Sequence, residues 1–349
     1  MNAAKETICY PWPSPPRAGE AVEIAEGVLW LRLPLPMALD HVNVYALDEG
    51  DSWTLIDSGM NTSGCRDAWA HLMAHSLAGK PVRRVILTHH HPDHVGLAGW
   101  FQTAQGAELW STRTAWLLAR MLQLDKQPTL PLEAVAFYRG AGVDAATLRR
   151  YQSDPPFNFA DVVAPMPLGF RSLGQGDVVH MGGRAWDVHI GNGHAPAHAT
   201  FWSRDDALVL SGDQVLPSIS PNLGVYATEP DADPLAEWLE SCTRLSALAR
   251  PDHVVLGGHK LPFMGLPLRL RQLIENHHQA LARLWEHLEH PRTAVDCFAP
   301  LFRRDIGRGE YGLALAEAVA HLNHLRHNGK VARQRQPQGA WLYRRRLAP

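Results

Sequence analysis

Within the stretch RRVILTHHHPDHVGLAGW, residues 83–100, five metal-competent side chains fall in six positions: His89, His90, His91, Asp93 and His94. Imidazole and carboxylate are the usual ligands of zinc and related divalent ions, and a compact loop can bring several of them to bonding distance. His89 and His91 stand two apart and point the same way on extended backbone. Pro92 then turns the chain, so Asp93 and His94 face a second point a few ångströms away. One loop can thus supply two pairs of ligands to two adjacent ions. Such a site needs more than four ligands, and three later strand ends offer them: His194 in GNGHAPAH, Asp213 in LVLSGDQ and His259 in VVLGGHK. The two oxygens of Asp213 could bridge both ions. Glycine flanks each of the three, allowing close backbone approach or positive φ. Taken singly, His194 or His259 would read as an ordinary core or surface histidine; their recurrence in order at strand ends sets them apart. His90 faces away by alternation, and His198, His253, His277 and His278, lacking comparable context, read as structural.

The elements that must carry these residues are legible from patterning. From Val22 to Leu55 the chain reads as β, with GVLWLRLPL alternating and a turn at Glu49-Gly50. CRDAWAHLMAHSLA is an amphipathic helix, VRRVILT a short buried strand, and VGLAGWFQTA a helix again. Placing the cluster between strand and helix puts it where α/β proteins hold functional groups. From Thr112 to Pro167, leucine-rich helical pieces broken by prolines read as a helical insertion. β character returns with GDVVHMGGRAWDVHIGNGH, HATFWSRDDALVLSGD and PDHVVLGGH. From Leu266 a long helix carries the stripe Leu270, Ile274, His277, Leu281, Leu284 and Leu288 and stops at Pro291. Two further helices and a hairpin around Gln-Pro-Gln-Gly complete a winged-helix-like module. The expected division is an N-terminal arm at 1–20 lying on the surface, a catalytic domain at 21–265 containing the insertion at about 112–167, and a C-terminal domain at 266–349.

Composition bounds the partners. The 349 residues are 46% hydrophobic and 19% charged with net charge −2, which gives no global reason to expect nucleic acid or an anionic membrane. The four cysteines (Cys9, Cys65, Cys242, Cys297) form no CxxC pair and read as reduced, mostly buried thiols. The first twenty residues have no apolar run of the secretory kind, and no stretch approaches the roughly 18 apolar residues of a membrane span. A cytoplasmic protein is expected.

These motifs resemble the metallo-β-lactamase fold superfamily. THHHPDH (Thr88 to His94) fits the family's T-H-x-H-x-D-H signature, and LIDSG (Leu55 to Gly59) is similar to its L-I-D-T-G element with Ser58 in place of threonine. GHAPAH keeps the histidines and proline of G-H-T-P-G-H but not the inner threonine and glycine; SGD and GGH match the later motifs. The resemblance spans roughly residues 20–265. It implies an αββα sandwich of mixed α/β (α+β) class, two sheets face to face with helices outside and the ligands along one edge. It implies that His89, His91 and His194 hold one metal, that Asp93, His94 and His259 hold the other, that Asp213 bridges, and that Asp57 orients the site.

Two cations sharing a water would lower its pKa towards neutrality and give a bridging hydroxide nucleophile, with Asp93 steering a proton. Zinc is the default for so many histidines, with iron or manganese as alternatives. The absence of an export signal and the aspartate at position 213 point away from a true β-lactamase and towards the arrangement of glyoxalase II, lactonases, nucleases and phosphodiesterases. The insertion reads equally as a structural brace between the sheets or as an apolar cap; as a cap it favours a small acyl substrate, so the first expectation is hydrolysis of a thioester, ester or lactone. For a hydroxyacylglutathione-like substrate, Lys260, Arg269 and Arg271 are the candidate cations. Two alternatives stand. One is an RNA endonuclease or phosphodiesterase using the basic residues after Glu317 (Arg326, Lys330, Arg333, Arg335, Arg344 to Arg346), which read more readily as a solvated face or a homodimer contact because the chain as a whole is not basic. The other is a metal-binding regulatory protein of the same fold.

Overall fold

The computed structural model describes residues 7–346. Residues 1–6 of the expected arm and residues 347–349 of the expected C-terminal domain lie outside the described residues. The chain divides into two compact units. The first comprises the residues up to Lys126, Asn158–Pro221 and Ser246–Leu270; the second comprises Gln127–Phe157, Asn222–Leu245 and the chain from Arg271 onward.

The first unit is built on two sheets. One has the order β1 (Ala21–Ala25), β2 (Val28–Pro34), β3 (His41–Asp48), β4 (Trp53–Ile56), β5 (Val82–Ile86), β6 (Glu108–Thr112), β7 (Arg171–Leu173). β1 to β4 form an antiparallel meander, and β4 to β7 run parallel. Parallel neighbours need crossovers, supplied here by α1 (Ser63–Ala74) between β4 and β5, and by α2 (Pro92–Val95) and α3 (Ala98–Gln105) between β5 and β6. The insertion begins with α4 (Arg113–Leu124), capped by the Thr112 side chain. The second sheet contains β8 (Val178–Met181), β9 (Arg184–Gly191), β10 (His198–Ser203), β11 (Leu208–Gly212), β12 (Val254–Gly257) and β13 (Phe263–Met264), with β13 at one edge and β8 at the other. β11 and β12 are parallel.

Period-two alternation decides which face each side chain joins. On β2, Leu31 and Leu33 face α1 and α3, packing with Trp69, Leu72 and Phe101, while Val28 and Trp30 face the other way. That second face, with Tyr45, Ile56 and Ile86, meets Trp186, Val188, Phe201, Leu210 and Leu256 from the second sheet. The two sheets are therefore glued face to face by an apolar core. A polar seam crosses it near one end. Trp30 Nε1 donates to Asn43 Oδ1 (2.9 Å), and the Asn43 amide donates to the carbonyls of Gly257 (2.9 Å) and Lys260 (2.8 Å). The N-terminal segment is more than a surface arm: Cys9 pairs its backbone with Met264 of β13, and Trp12 packs on the inter-sheet core. None of the four cysteines is in a disulfide.

The second unit is largely helical. The stretch from Thr112 to Pro167 is shared between the units: α4 belongs to the first, whereas α5 (Leu132–Gly140) and α6 (Ala145–Ser153) belong to the second. With them stand α7 (Pro234–Ser246), most of α8 (Leu266–His287), α9 (Phe298–Phe302) and α10 (Tyr311–His327). The expected hairpin is β14 (Val331–Arg335) paired with β15 (Trp341–Arg345) around a turn in which Gly339 adopts φ 97°. No helix among the described residues is long and apolar enough to cross a membrane.

Candidate metal centre

Local sequence explains how the histidine loop is held. β5 ends at Ile86, and Thr88 hands its backbone N–H to Asp57 Oδ1 and its hydroxyl to Asp57 Oδ2, both at 2.8 Å. His91 takes the position before α2, and Pro92 opens that helix, where its missing N–H costs nothing. Asp93 and His94 are thereby lifted onto one helical turn. Ser58 secures the turn: its hydroxyl donates to the His94 carbonyl (2.9 Å) and accepts from the Leu97 N–H (3.1 Å).

The structure brings all seven expected ligands together, within the first unit. His89 Nε2 lies 3.0 Å from His91 Nδ1, and His194 completes a group with them. Asp213 Oδ2 lies 3.4 Å from His94 Nε2, 3.5 Å from His194 Nε2 and 3.3 Å from His259 Nε2. Asp93 Oδ2 lies 3.3 Å from His259 Nε2 and 3.6 Å from His94 Nε2. Two donors on one tetrahedral ion, with bonds of about 2.0–2.2 Å, sit about 3.3 Å apart. The set therefore has the spacing of two ligand groups sharing Asp213 between them. His90 lies outside these groups.

Three of the five rings are oriented by a bond to their other nitrogen. His89 Nδ1 donates to Thr88 Oγ1 (2.9 Å), His94 Nδ1 to Asp57 Oδ2 (2.8 Å), and His259 Nδ1 to the His41 carbonyl (2.7 Å). Those N–H bonds turn Nε2 of each of these three rings inward, where its lone pair becomes available to an ion that displaces any proton there. The donor set fits metal ions by a separate test. His94 Nε2 and Asp213 Oδ1 are buried and have no hydrogen-bond partner among the described residues, a cost that a coordinated ion removes. Glycine makes room: a Cβ at Gly258 would collide with Asp213 Oδ1 and stand 2.7 Å from His94 Cε1. Asp57 sits at φ 64°, a left-handed conformation that aspartate tolerates better than most residues.

The electrostatics draw positive charge. Burial opposes charging His94, but the carboxylates of Asp213, Asp93 and Asp57 hold its pKa well above the ordinary value. Against the same penalty, Asp213 and Asp93 raise His259 to about 10. Burial also opposes ionisation of Asp213, yet His259 and His94 keep its carboxyl well below the usual range. His89 and His91, desolvated among other imidazoles, are pushed well down and stay neutral. His91, Asp93 and His194 are partly exposed while His89, His94, Asp213 and His259 are buried, so the site opens on the side of the first three.

Two residues that sequence reasoning did not place at the site help to build it, one of them, His198, read there only as structural. His198 stacks on His89 (centroids 4.6 Å apart) and its Nε2 accepts the Asp213 N–H at 3.1 Å, so it fixes both a ring and the backbone of the shared carboxylate. Its position in GHAPAH was the available signal. His41 supplies the carbonyl behind His259 and accepts the Lys260 N–H at its Nε2 (2.9 Å), with no motif to announce it. Arg269 is buried and donates to the carbonyls of Leu216 and Ile219, so it braces a loop, while Arg271 belongs to the second unit.

Known proteins resemble this chain in sequence and fold. Residues 37–259 match the family model of the metallo-beta-lactamase superfamily, and residues 281–346 match that of the metallo-beta-lactamase-like C-terminal domain. The chain belongs to the metallo-β-lactamase superfamily and carries that C-terminal domain. It is 27% identical over 312 residues, covering 86% of this chain and 92% of the relative, to "Probable metallo-hydrolase YqjP" of Bacillus subtilis (strain 168). A solved β-lactamase domain protein from Burkholderia ambifaria is 36% identical with a TM-score of 0.89, over 97% of this chain and 98% of that one. A metallo-β-lactamase family protein from Thermus thermophilus is 29% identical with a TM-score of 0.77, over 93% of this chain and all (100%) of that one.

Proposed function

We propose that this metal-dependent hydrolase cleaves a thioester, ester or lactone of a small acyl substrate, using two divalent ions held by His89, His91 and His194 on one side and Asp93, His94 and His259 on the other, with Asp213 between them. The observation that carries the binuclear reading is the placement of Asp213 Oδ2 within 3.3–3.5 Å of three imidazole nitrogens. Zinc suits so many imidazoles, and iron or manganese would also be accepted by this mixed donor set. When bound, such ions supply Lewis acidity and an acidified water.

The chain's own residues supply the rest. Thr88, Asp57 and the His41 carbonyl keep the imidazoles in one orientation, so little reorganisation accompanies the reaction. Asp93, on the open side, takes the proton of the attacking water and returns it to the departing thiolate or alkoxide. Substrate preference rests on α4. Leu117, Met121 and Leu124 are exposed on it at helical spacing, and its cap residue Thr112 donates to the Ala197 carbonyl (2.8 Å), in the loop that carries His194. An apolar stripe tied to that loop supports binding of an acyl chain.

The nucleic-acid reading draws less support from the second unit. Arg326 and Arg333 both pair with Asp231, Arg345 pairs with Glu289, and Arg333 and Arg335 lie over the Trp341 ring. The test is turnover of p-nitrophenyl esters of increasing chain length, acyl thioesters, lactones and an RNA oligomer. We expect acyl turnover, with kcat/KM for the longer esters lowered about tenfold or more by Leu117→Ser. Cleavage of RNA with acyl substrates untouched would overturn the proposal.

A further inference from the structure

We propose a separate metal site inside the second unit, formed by His277 of α8 with Glu317 and His321 of α10, which takes one zinc-like divalent ion. Glu317 and His321 are four residues apart, so helical geometry puts them on one face. One ligand atom from each of the three residues lies within 4.8 Å of the others.

The hydrogen bonds prepare the rings as ligands. His321 Nδ1 donates to the Glu317 carbonyl at 2.8 Å, which fixes its tautomer and leaves the Nε2 lone pair facing His277 Nδ1 at 3.2 Å. That separation is close to the about 3.3 Å expected for two nitrogens on one tetrahedral ion. Burial drives His277 to about 3 and His321 to about 4, so both are neutral. Without an ion, His277 must donate from Nδ1. Its Nε2 is then a bare acceptor, buried, with no hydrogen-bond partner among the described residues. With an ion on Nδ1, Nε2 carries the hydrogen instead, the form an aromatic neighbour accepts; Trp238 packs edge-to-face on this ring with centroids 4.9 Å apart.

Glu317 completes the set. Its Oε2 accepts from Asn222 Nδ2 at 2.9 Å, so the carboxylate is oriented by an amide rather than neutralised by a cation. Glu317 is partly exposed while both histidines are buried. Two imidazoles and one carboxylate leave a fourth position for water. The ion would pin α8 to α10.

The test counts metal. Wild-type protein, His321→Ala and Glu317→Gln are stripped with chelator, saturated with zinc, desalted and measured by inductively coupled plasma mass spectrometry, and zinc affinity is read by competition with a chromophoric chelator. We expect the count per chain to fall by one in His321→Ala and zinc affinity at that site to weaken about tenfold or more in Glu317→Gln, with ester hydrolysis retained in both. Equal metal content and affinity in all three proteins would overturn the proposal. If His321→Ala does not fold, Glu317→Gln decides alone. Loss at the first centre would instead lower activity together with the count, so the two sites fail separately.

Discussion

Asp57 touches no expected ion, yet three bonds converge on it: two from Thr88 and one from His94. Partners of this kind typically contribute 10–100-fold in metal affinity or activity. Asp57→Asn keeps a residue tolerant of φ 64° but weakens acceptance from His94, so the variant is expected to fold and lose activity within that range, measured as kcat/KM with competing chelator. Gly258→Ala should do more harm. The new methyl group displaces Asp213, and displacements of about 1 Å cost on the order of 100-fold; circular dichroism separates this loss from unfolding. The raised His259 pKa has a sign that can be tested. Its folded value of about 10 lies above the ordinary 6.5, so its ion pairs stabilise the metal-free fold fully below pH 6.5 and are lost as pH rises through about 10. Chelator-stripped protein should therefore show a falling Tm on that approach, while zinc affinity strengthens because ions no longer compete with protons. A metal affinity independent of pH between 6 and 9 would contradict this. At this scale the residues that cluster were legible because imidazole and carboxylate announce themselves by type. His41 was not, because its contribution to His259 is a backbone carbonyl 218 residues away.

Among the elements, the strand-loop-helix around Pro92 and the glycine-flanked strand ends follow from local pattern, since turn chemistry and period-two alternation act over a few residues. The seam between the sheets does not. Asn43 reads in sequence as one polar residue in a β run, and its meaning appears only when β12 arrives beneath it. Replacing Asn43 with Ala strips Trp30 Nε1 of its acceptor and the Lys260 carbonyl of a donor, while the Gly257 carbonyl keeps the Tyr45 hydroxyl. Buried groups left this way cost about 1–3 kcal/mol. Urea unfolding should show a loss of that size together with weaker zinc binding, since His259 lies between these two carbonyls in the chain; a change confined to stability would detach the seam from the site.

For the whole molecule, a metallo-β-lactamase domain followed by a helical C-terminal domain was readable from motif order and from the stripe of the long helix. The sharing of the inserted stretch between two units was not, because assignment to a unit depends on contacts between distant segments rather than on periodicity. His277 read as structural for the same reason: its neighbours Glu317 and His321 lie more than one helix away. The claim on which the functional account rests is that seven side chains of the first unit hold two ions on either side of Asp213. Anomalous diffraction from zinc-loaded crystals tests it most directly. Two peaks about 3.5–4 Å apart flanking the Asp213 carboxylate are expected; a single peak, or a pair that Asp213 does not touch, would contradict the account.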